Sequence, residues 1–309
     1  MSERVLYLNI YLKFNVPRSP CPKALYMYET ILRRQDVRSE FKQLIMEIKQ
    51  EAYRKIQQLS GGIENIKRKY PFQYLLFSEF SYSFTVQRSL ITTLGQKHVP
   101  NLLKFLVEKR GYKAETNCSI EIVLSKEIFQ KIDEIVANLR SGKRMPNARS
   151  ELTELIGLIM QGQNKENMVK RRLTLDLYIE NPKNPRYNYY IEIKTPRPKL
   201  EDCDVTKRRL LLFRIYKYKS LVESGIKAKE AFEEALYSAL IGFYYNPFDK
   251  STEEIRRTGK YPHTFFNRVF ELNEALIAEE LWGCLCGIGT YDELVKIIEE
   301  VVKEFKQQH

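Results

Sequence analysis

A chain of 309 residues with 43% hydrophobic and 12% aromatic side chains can bury a large core, so disorder is not expected, and the length suits one large or two modest domains. Lys and Arg total 51 against 39 Asp and Glu, giving a net charge of +12 and a pI near 9.3. That balance favours a polyanionic partner, since each phosphate neutralised releases a counterion, although solubility alone also accounts for it. The odd, scattered set Cys21, Cys118, Cys203, Cys284 and Cys286 does not suggest a disulfide framework. With only His98, His263 and His309 present, no zinc-ligand spacing arises, and buried thiols in a reducing cytoplasm are expected. No secretory signal and no run of transmembrane length is visible, so the expectation is a soluble cytoplasmic protein without a membrane partner.

In chain order, residues 4–14 alternate apolar and polar as a strand would, before Pro17, Pro20 and Pro22 break the chain. From Lys23 to about Leu59 the pattern is helical, with Phe41, Leu44, Ile45, Ile48, Ala52 and Ile56 on one stripe, read as a packing face. The aromatic run at 72–84 is suited to burial or to stacking on bases. A mostly buried helix is predicted from Val86 to Arg110, kinked or restarted at Pro100, with Gln96 on its polar side. Residues 112–124 read as one or two strands, and Ser125 as the cap of a helix to about Leu139. The basic loop RSGKRMPNARS offers phosphate contacts, and helix 150–161 supplies Glu151 and Glu154, either as neighbours of a site or as helix-dipole compensation.

The stretch Leu173 to Lys194 is the most informative. Leu173, Leu175, Leu177 and Ile179 alternate with polar partners, as do Tyr189, Ile191 and Ile193, with two prolines and three asparagines between the runs. A strand hairpin follows, with Asp176 on one face of the first strand and Glu192 and Lys194 together on one face of the second. Two neighbouring carboxylates repel, and burying either unpaired is costly. A hard divalent cation such as Mg²⁺ resolves both difficulties, because it takes one or two carboxylates plus phosphate and water. Beside it the Lys194 ammonium offsets developing charge, which is the constellation for metal-assisted phosphodiester hydrolysis. A solvated strand face or plain salt bridge is the competing account; both strand-like halves and the basic segment that follows count against it.

After the hairpin Asp204 is read as capping a long helix ended by Gly225. Arg197, Lys199, Lys207, Arg208 and Arg209 gather near the presumed site as candidate DNA contacts. Residues 237–245, YSALIGFYY, read as a buried strand beside the hairpin, then come a turn at Asn246-Pro247-Phe248, a helix near 271–286 and a terminal helix from about Tyr291 to Lys306.

Asp176 with Glu192-Ile193-Lys194 resembles the PD-(D/E)xK nuclease signature, with Leu175 where the pattern expects Pro. More narrowly, EIKTPRPKLEDCDVTKRRLL, YYNPF and LWGCLCGIGTYDELVKIIEE, in that order, resemble the TdeIII-like type II restriction endonucleases over about Leu90 to Val301. The resemblance implies an α/β fold, with a restriction-endonuclease-like mixed central sheet flanked by helices. It would place the nuclease domain at 86–309, behind a mostly helical region at 1–85. It further implies Mg²⁺-dependent cleavage of double-stranded DNA at a GGNCC-type palindrome by a homodimer, with a cognate DNA methyltransferase as functional partner. Asp176 and Glu192 would hold the metal and Lys194 would position or activate water, while Gln96 stands where the family often has Glu. Two alternatives remain open: a structure-specific enzyme such as a junction resolvase, and a nucleic-acid-binding module whose trio is structural.

Overall fold

The computed structural model of the chain describes residues 29–60, 90–161, 167–182, 184 and 188–308. The expected strand at 4–14 and the aromatic run at 72–84 lie outside these residues. Among the described residues one sheet of five strands runs in the order β1 (Lys113–Ser125), β2 (Met168–Glu180), β3 (Tyr189–Lys194), β4 (Ala239–Phe243) and β5 (Ala275–Ile277). The first three pair antiparallel, whereas β3, β4 and β5 pair parallel. A parallel step needs a long crossover. Here α5 (Leu200–Glu223) and α6 (Ala228–Leu236) supply it between β3 and β4. The hairpin and the buried strand beside it are therefore where the sequence places them.

Helices cover both faces of the sheet. On one lie α3 (Lys126–Arg140), α4 (Ala148–Met160), α5 and α6, whose Ile132, Leu152, Phe213 and Ala235 share a core with Leu175 and Ile241. On the other lie α1 (Gln35–Ser60) and α2 (Val99–Lys109), which bury Phe41 and Leu103 against Leu177 and Ile191. Between β4 and β5 stand the short helices α7 (Thr252–Thr258) and α8 (Thr264–Val269). The chain closes with α9 (Glu279–Cys286) and α10 (Thr290–Gln308), which add Trp282 and Ile297 to the α1 side. The stripe read on α1 is a packing face in part, with Phe41 and Ile45 buried and Leu44 and Ile48 half-buried. Arg38 and Lys42 reach across to Glu293, Glu300 and Glu304 of α10 at 2.6–3.3 Å.

Several local readings change. Pro100 falls in the first turn of α2, after a π-helical turn at Leu94–His98, so the chain restarts there. Ser125 precedes α3 but makes no capping bond, whereas the Asn147 carboxamide accepts from Ser150 N at 2.8 Å and caps α4. Asp204 does not cap α5, which already begins at Leu200; it lies buried in the second turn and pairs with Arg140 at 2.7 Å. The helix expected at 271–286 is a 3-10 turn at Leu272–Glu274, then β5, then α9. Apart from Glu279, residues 274–286 are buried, so no polar face marked the strand off from a helix. Cys286 is a buried free thiol, its pKa raised to about 12 by burial, whereas Cys284 is disulfide-bonded rather than the second buried thiol expected.

The departure that shapes the site lies at Asp176. The β1–β2 ladder pairs Thr116 with Leu177 and Cys118 with Leu175 but skips Asn117 and Asp176, and the β2–β3 ladder stops at Leu177 and Ile191. Asn117 takes a left-handed φ of 54°, a conformation Asn tolerates better than most residues. The pleat changes phase at that point. Leu173 and Leu175 face the α5 side, whereas Leu177 and Ile179 face the α1 side, so the four do not share one face as their spacing suggested. The cause is the Asp176 carboxylate, which accepts Ile193 N at 2.8 Å in place of a strand-to-strand bond. Downstream, Gly242 on β4 keeps α9 close. A Cβ there would meet Leu281 Cδ1 at 2.9 Å and Ile193 Cδ1 at 3.0 Å.

Candidate active site

Asp176, Glu192 and Lys194 meet at the end of β3. Lys194 Nζ lies 3.1 Å from Glu192 Oε2 and 3.6 Å from Asp176 Oδ2. The trio has an inner and an outer side: the Glu192 side chain is 0% exposed, while those of Lys194 and Asp176 are 25% and 24% exposed. A large substrate can therefore reach the lysine and the aspartate while the glutamate stays anchored. Arg209, in the third turn of α5, donates from Nη1 to both Glu192 oxygens at 3.2 Å. The sequence offers it as a DNA contact, and its link to Glu192 is invisible there because α5 must first fold back over β3.

Burial raises the Glu192 pKa; the Lys194 and Arg209 charges pull it down and Asp176 pushes it further up, and burial prevails. Burial also opposes the Lys194 charge, yet the Glu192 and Asp176 carboxylates outweigh it and raise that pKa. The two shifts stem from the same pair, and at Glu192 burial is the larger effect, since its carboxylate is fully removed from water. A carboxyl that is easier to protonate when folded adds stability below its unfolded pKa and loses that contribution as pH rises through its folded pKa. The charged form of Glu192 is thus a local cost, which a cation at this position relieves.

The donor set fits a hard divalent cation. Asp176 Oδ1 takes part in no hydrogen bond among the described residues, and Glu192 presents a second carboxylate beside it. No group of three His, Cys, Asp or Glu side chains suited to a metal occurs among the described residues, so phosphate and water would complete the shell. Addition of Ca²⁺ is expected to raise the melting temperature at neutral pH and to lose that effect on acidification, with a midpoint above the ordinary glutamate range. Calorimetric melts across a pH series check this, and a midpoint at or below that range contradicts it.

The other expected contacts divide. Arg197 and Lys199 are exposed and make no ion pair among the described residues; Arg197 lies 5.5 Å over the Phe248 ring. Arg208 is half-buried and donates to Asp133 at 2.8 Å. Lys207 is a correction. It is fully buried, 2.9 Å from both Glu274 oxygens and 2.6 Å from Glu151 Oε2, the last an ion contact outside hydrogen-bond alignment, so it cannot reach DNA. Glu151 accordingly belongs to this buried cluster, and Glu154 holds Arg144 at 2.6 Å; neither touches the trio. The basic loop offers less free charge than it promised, since Arg140, Arg144 and Arg149 each meet a carboxylate. Gln96 is exposed on the π-helical turn and bonds to none of Asp176, Glu192 or Lys194 among the described residues.

A mixed sheet of this order, with two acids and a lysine at the edge where β2 parts from β3, defines the restriction-endonuclease-like class of fold. A model of the type II restriction endonuclease family HinfI matches residues 34–302, and the chain belongs to that family. It is similar to the type II restriction enzyme MjaII of Methanocaldococcus jannaschii, 30% identical over 230 residues that make up 71% of this chain and 55% of MjaII. The type II restriction enzymes HgiEI and HgiBI of Herpetosiphon aurantiacus are each 25% identical over 217 residues, 70% of either chain. The chain thus spans about half the length of the first of these relatives. No solved structure matches it. The type II restriction endonuclease expected from the sequence is borne out at the level of family, and the α/β sheet flanked by helices is the expected fold.

Proposed function

We propose that the protein is a type II restriction endonuclease that hydrolyses phosphodiester bonds in double-stranded DNA at a short palindrome, of the GGNCC kind, with Mg²⁺ as cofactor. The observation that supports this most is the meeting of Lys194 with Glu192 at 3.1 Å and with Asp176 at 3.6 Å at the accessible end of β3, in a chain of a restriction endonuclease family. Asp176 and Glu192 would hold the metal, which when bound polarises the phosphoryl group and makes water more acidic. The chain's own residues do the rest. Glu192, anchored by Arg209, fixes the depth of the site, and Asp176 is locked to Ile193 N through Oδ2, which leaves Oδ1 for the metal. Lys194, held charged by both acids, stands where an ammonium can orient the attacking water and offset charge developing on phosphate.

Arg197 and Lys199 are proposed to grip the DNA backbone around that point, whereas Arg208 and Arg209 are committed to Asp133 and Glu192. A homodimer would match its own two-fold axis to that of the palindrome, and a cytoplasmic DNA methyltransferase would protect the host's sites. Among the described residues no helix is long and apolar enough to cross a membrane. The test is to incubate the protein with plasmid DNA and Mg²⁺ and sequence the ends. One palindrome at every end supports the proposal. Ends only at branched structures would mark a junction resolvase, and intact plasmid would mark a binding module.

A further inference from the structure

A cavity of about 370 Å³ opens beside the loop that leaves β3, lined by Lys250, Lys260, Tyr261, His263 and Asn267 among others. Its floor is fixed. Tyr261 is buried with its ring 4.9 Å from that of Phe243, its hydroxyl donates to Pro196 O at 3.0 Å, and the Asn267 carboxamide donates to Tyr261 O at 2.6 Å while accepting Tyr261 N at 3.1 Å. Pro196 is two residues beyond Lys194, or about 7 Å of extended chain, so the cavity wall is tied to the strand end that carries the trio.

The charge lining this cavity is of one sign. Lys250 and Lys260 are exposed and make no ion pair among the described residues, whereas Lys42, Lys109, Arg144 and Arg149 elsewhere all meet carboxylates. Glu254 feels the Lys250 charge, but its carboxylate is committed to Ser251 N at 2.8 Å. His263 Nδ1 is buried without a hydrogen-bond partner, a state that native structures rarely leave unexplained. Burial and then the Arg197 charge lower the His263 pKa. Base edges are read by paired donors and acceptors, and the carboxamide lining the cavity, that of Asn267, is already engaged at both ends. Compact ammonium groups, with the His263 ring beside them in the lining, suit a phosphate instead.

We propose that Lys250, Lys260 and His263 form a subsite for a backbone phosphate of the DNA strand, flanking the phosphate that lies at Asp176, Glu192 and Lys194. This subsite rests on the DNA-cleaving reading above. The test measures duplex affinity against salt in Ca²⁺ buffer, using one duplex that carries the cleaved site and one unrelated duplex. The variants are Lys250→Ala with Lys260→Ala, His263→Ala, and His263→Asn, whose amide can donate in place of the ring. Lys126→Ala with Lys227→Ala, remote exposed lysines, serves as the charge control.

The cavity double variant is expected to weaken both duplexes several-fold and to flatten the slope of log K against log salt by about 1, the share of one phosphate contact. The control pair should change the slope far less, and His263→Asn should retain affinity that His263→Ala loses. A slope unchanged relative to the control overturns the subsite while wild-type cleavage stands. A loss confined to the duplex with the cleaved site also overturns it, in favour of base readout. Wild-type protein that neither binds nor cuts DNA removes the functional reading and the subsite together.

Discussion

Asp176→Asn is expected to lower plasmid cleavage by about 10²–10³-fold or more, the usual loss when one preorganised electrostatic group is removed from a site, while duplex binding stays within a few-fold of wild type. The reason lies in the two oxygens. Oδ2 closes the gap between β2 and β3 by accepting Ile193 N at 2.8 Å, and the Asn carbonyl keeps that bond. Its amide then occupies the place of Oδ1, where an N–H repels a cation that a carboxylate oxygen would attract. Folding should be little affected, because the substitution also removes the repulsion by which Asp176 raises the Glu192 pKa. The measurement is cleavage rate, anisotropy with labelled duplex, and a urea midpoint on one preparation. Cleavage retained within about tenfold, with binding intact, would show that the trio only braces the sheet.

The hairpin was legible because its two alternating runs are flanked by turn residues, and β4 because YSALIGFYY is too apolar to be exposed. The site was legible for a further reason: short-range spacing fixes Glu192 and Lys194 on one side of β3 whatever the rest of the fold does. The remainder depends on tertiary choices. The change of pleat phase at Asp176 needs its carboxylate to displace a ladder bond, which no periodicity records, and so the alternation of Leu173 to Ile179 misplaced Leu177 and Ile179. Charge was least legible. Lys207, Arg208 and Arg209 are consecutive, yet successive positions on a helix point about 100° apart. One is buried, one meets Asp133, and one grips Glu192.

Lys207→Met is therefore expected to destabilise the fold by about 3–5 kcal/mol, the cost of leaving a buried charge without its partner. Two acids, Glu151 and Glu274, and two bases, Lys207 and Arg214, form this buried cluster, and their charges cancel. Without Lys207, Glu274 keeps Arg214 at 2.8 Å and Glu271 N at 2.9 Å, but Glu151 keeps only Asn147 N at 3.0 Å. Glu151 should thus carry most of the penalty, so adding Glu151→Gln to Lys207→Met should recover part of it, a coupling that a double-mutant cycle reads directly. Urea midpoints of the three variants measure the effect. The folded fraction of Lys207→Met should bind duplex with the wild-type salt slope, because the ammonium never touches solvent. A normal midpoint together with a flattened slope would instead return Lys207 to the DNA surface and place the fold around Glu274 in error.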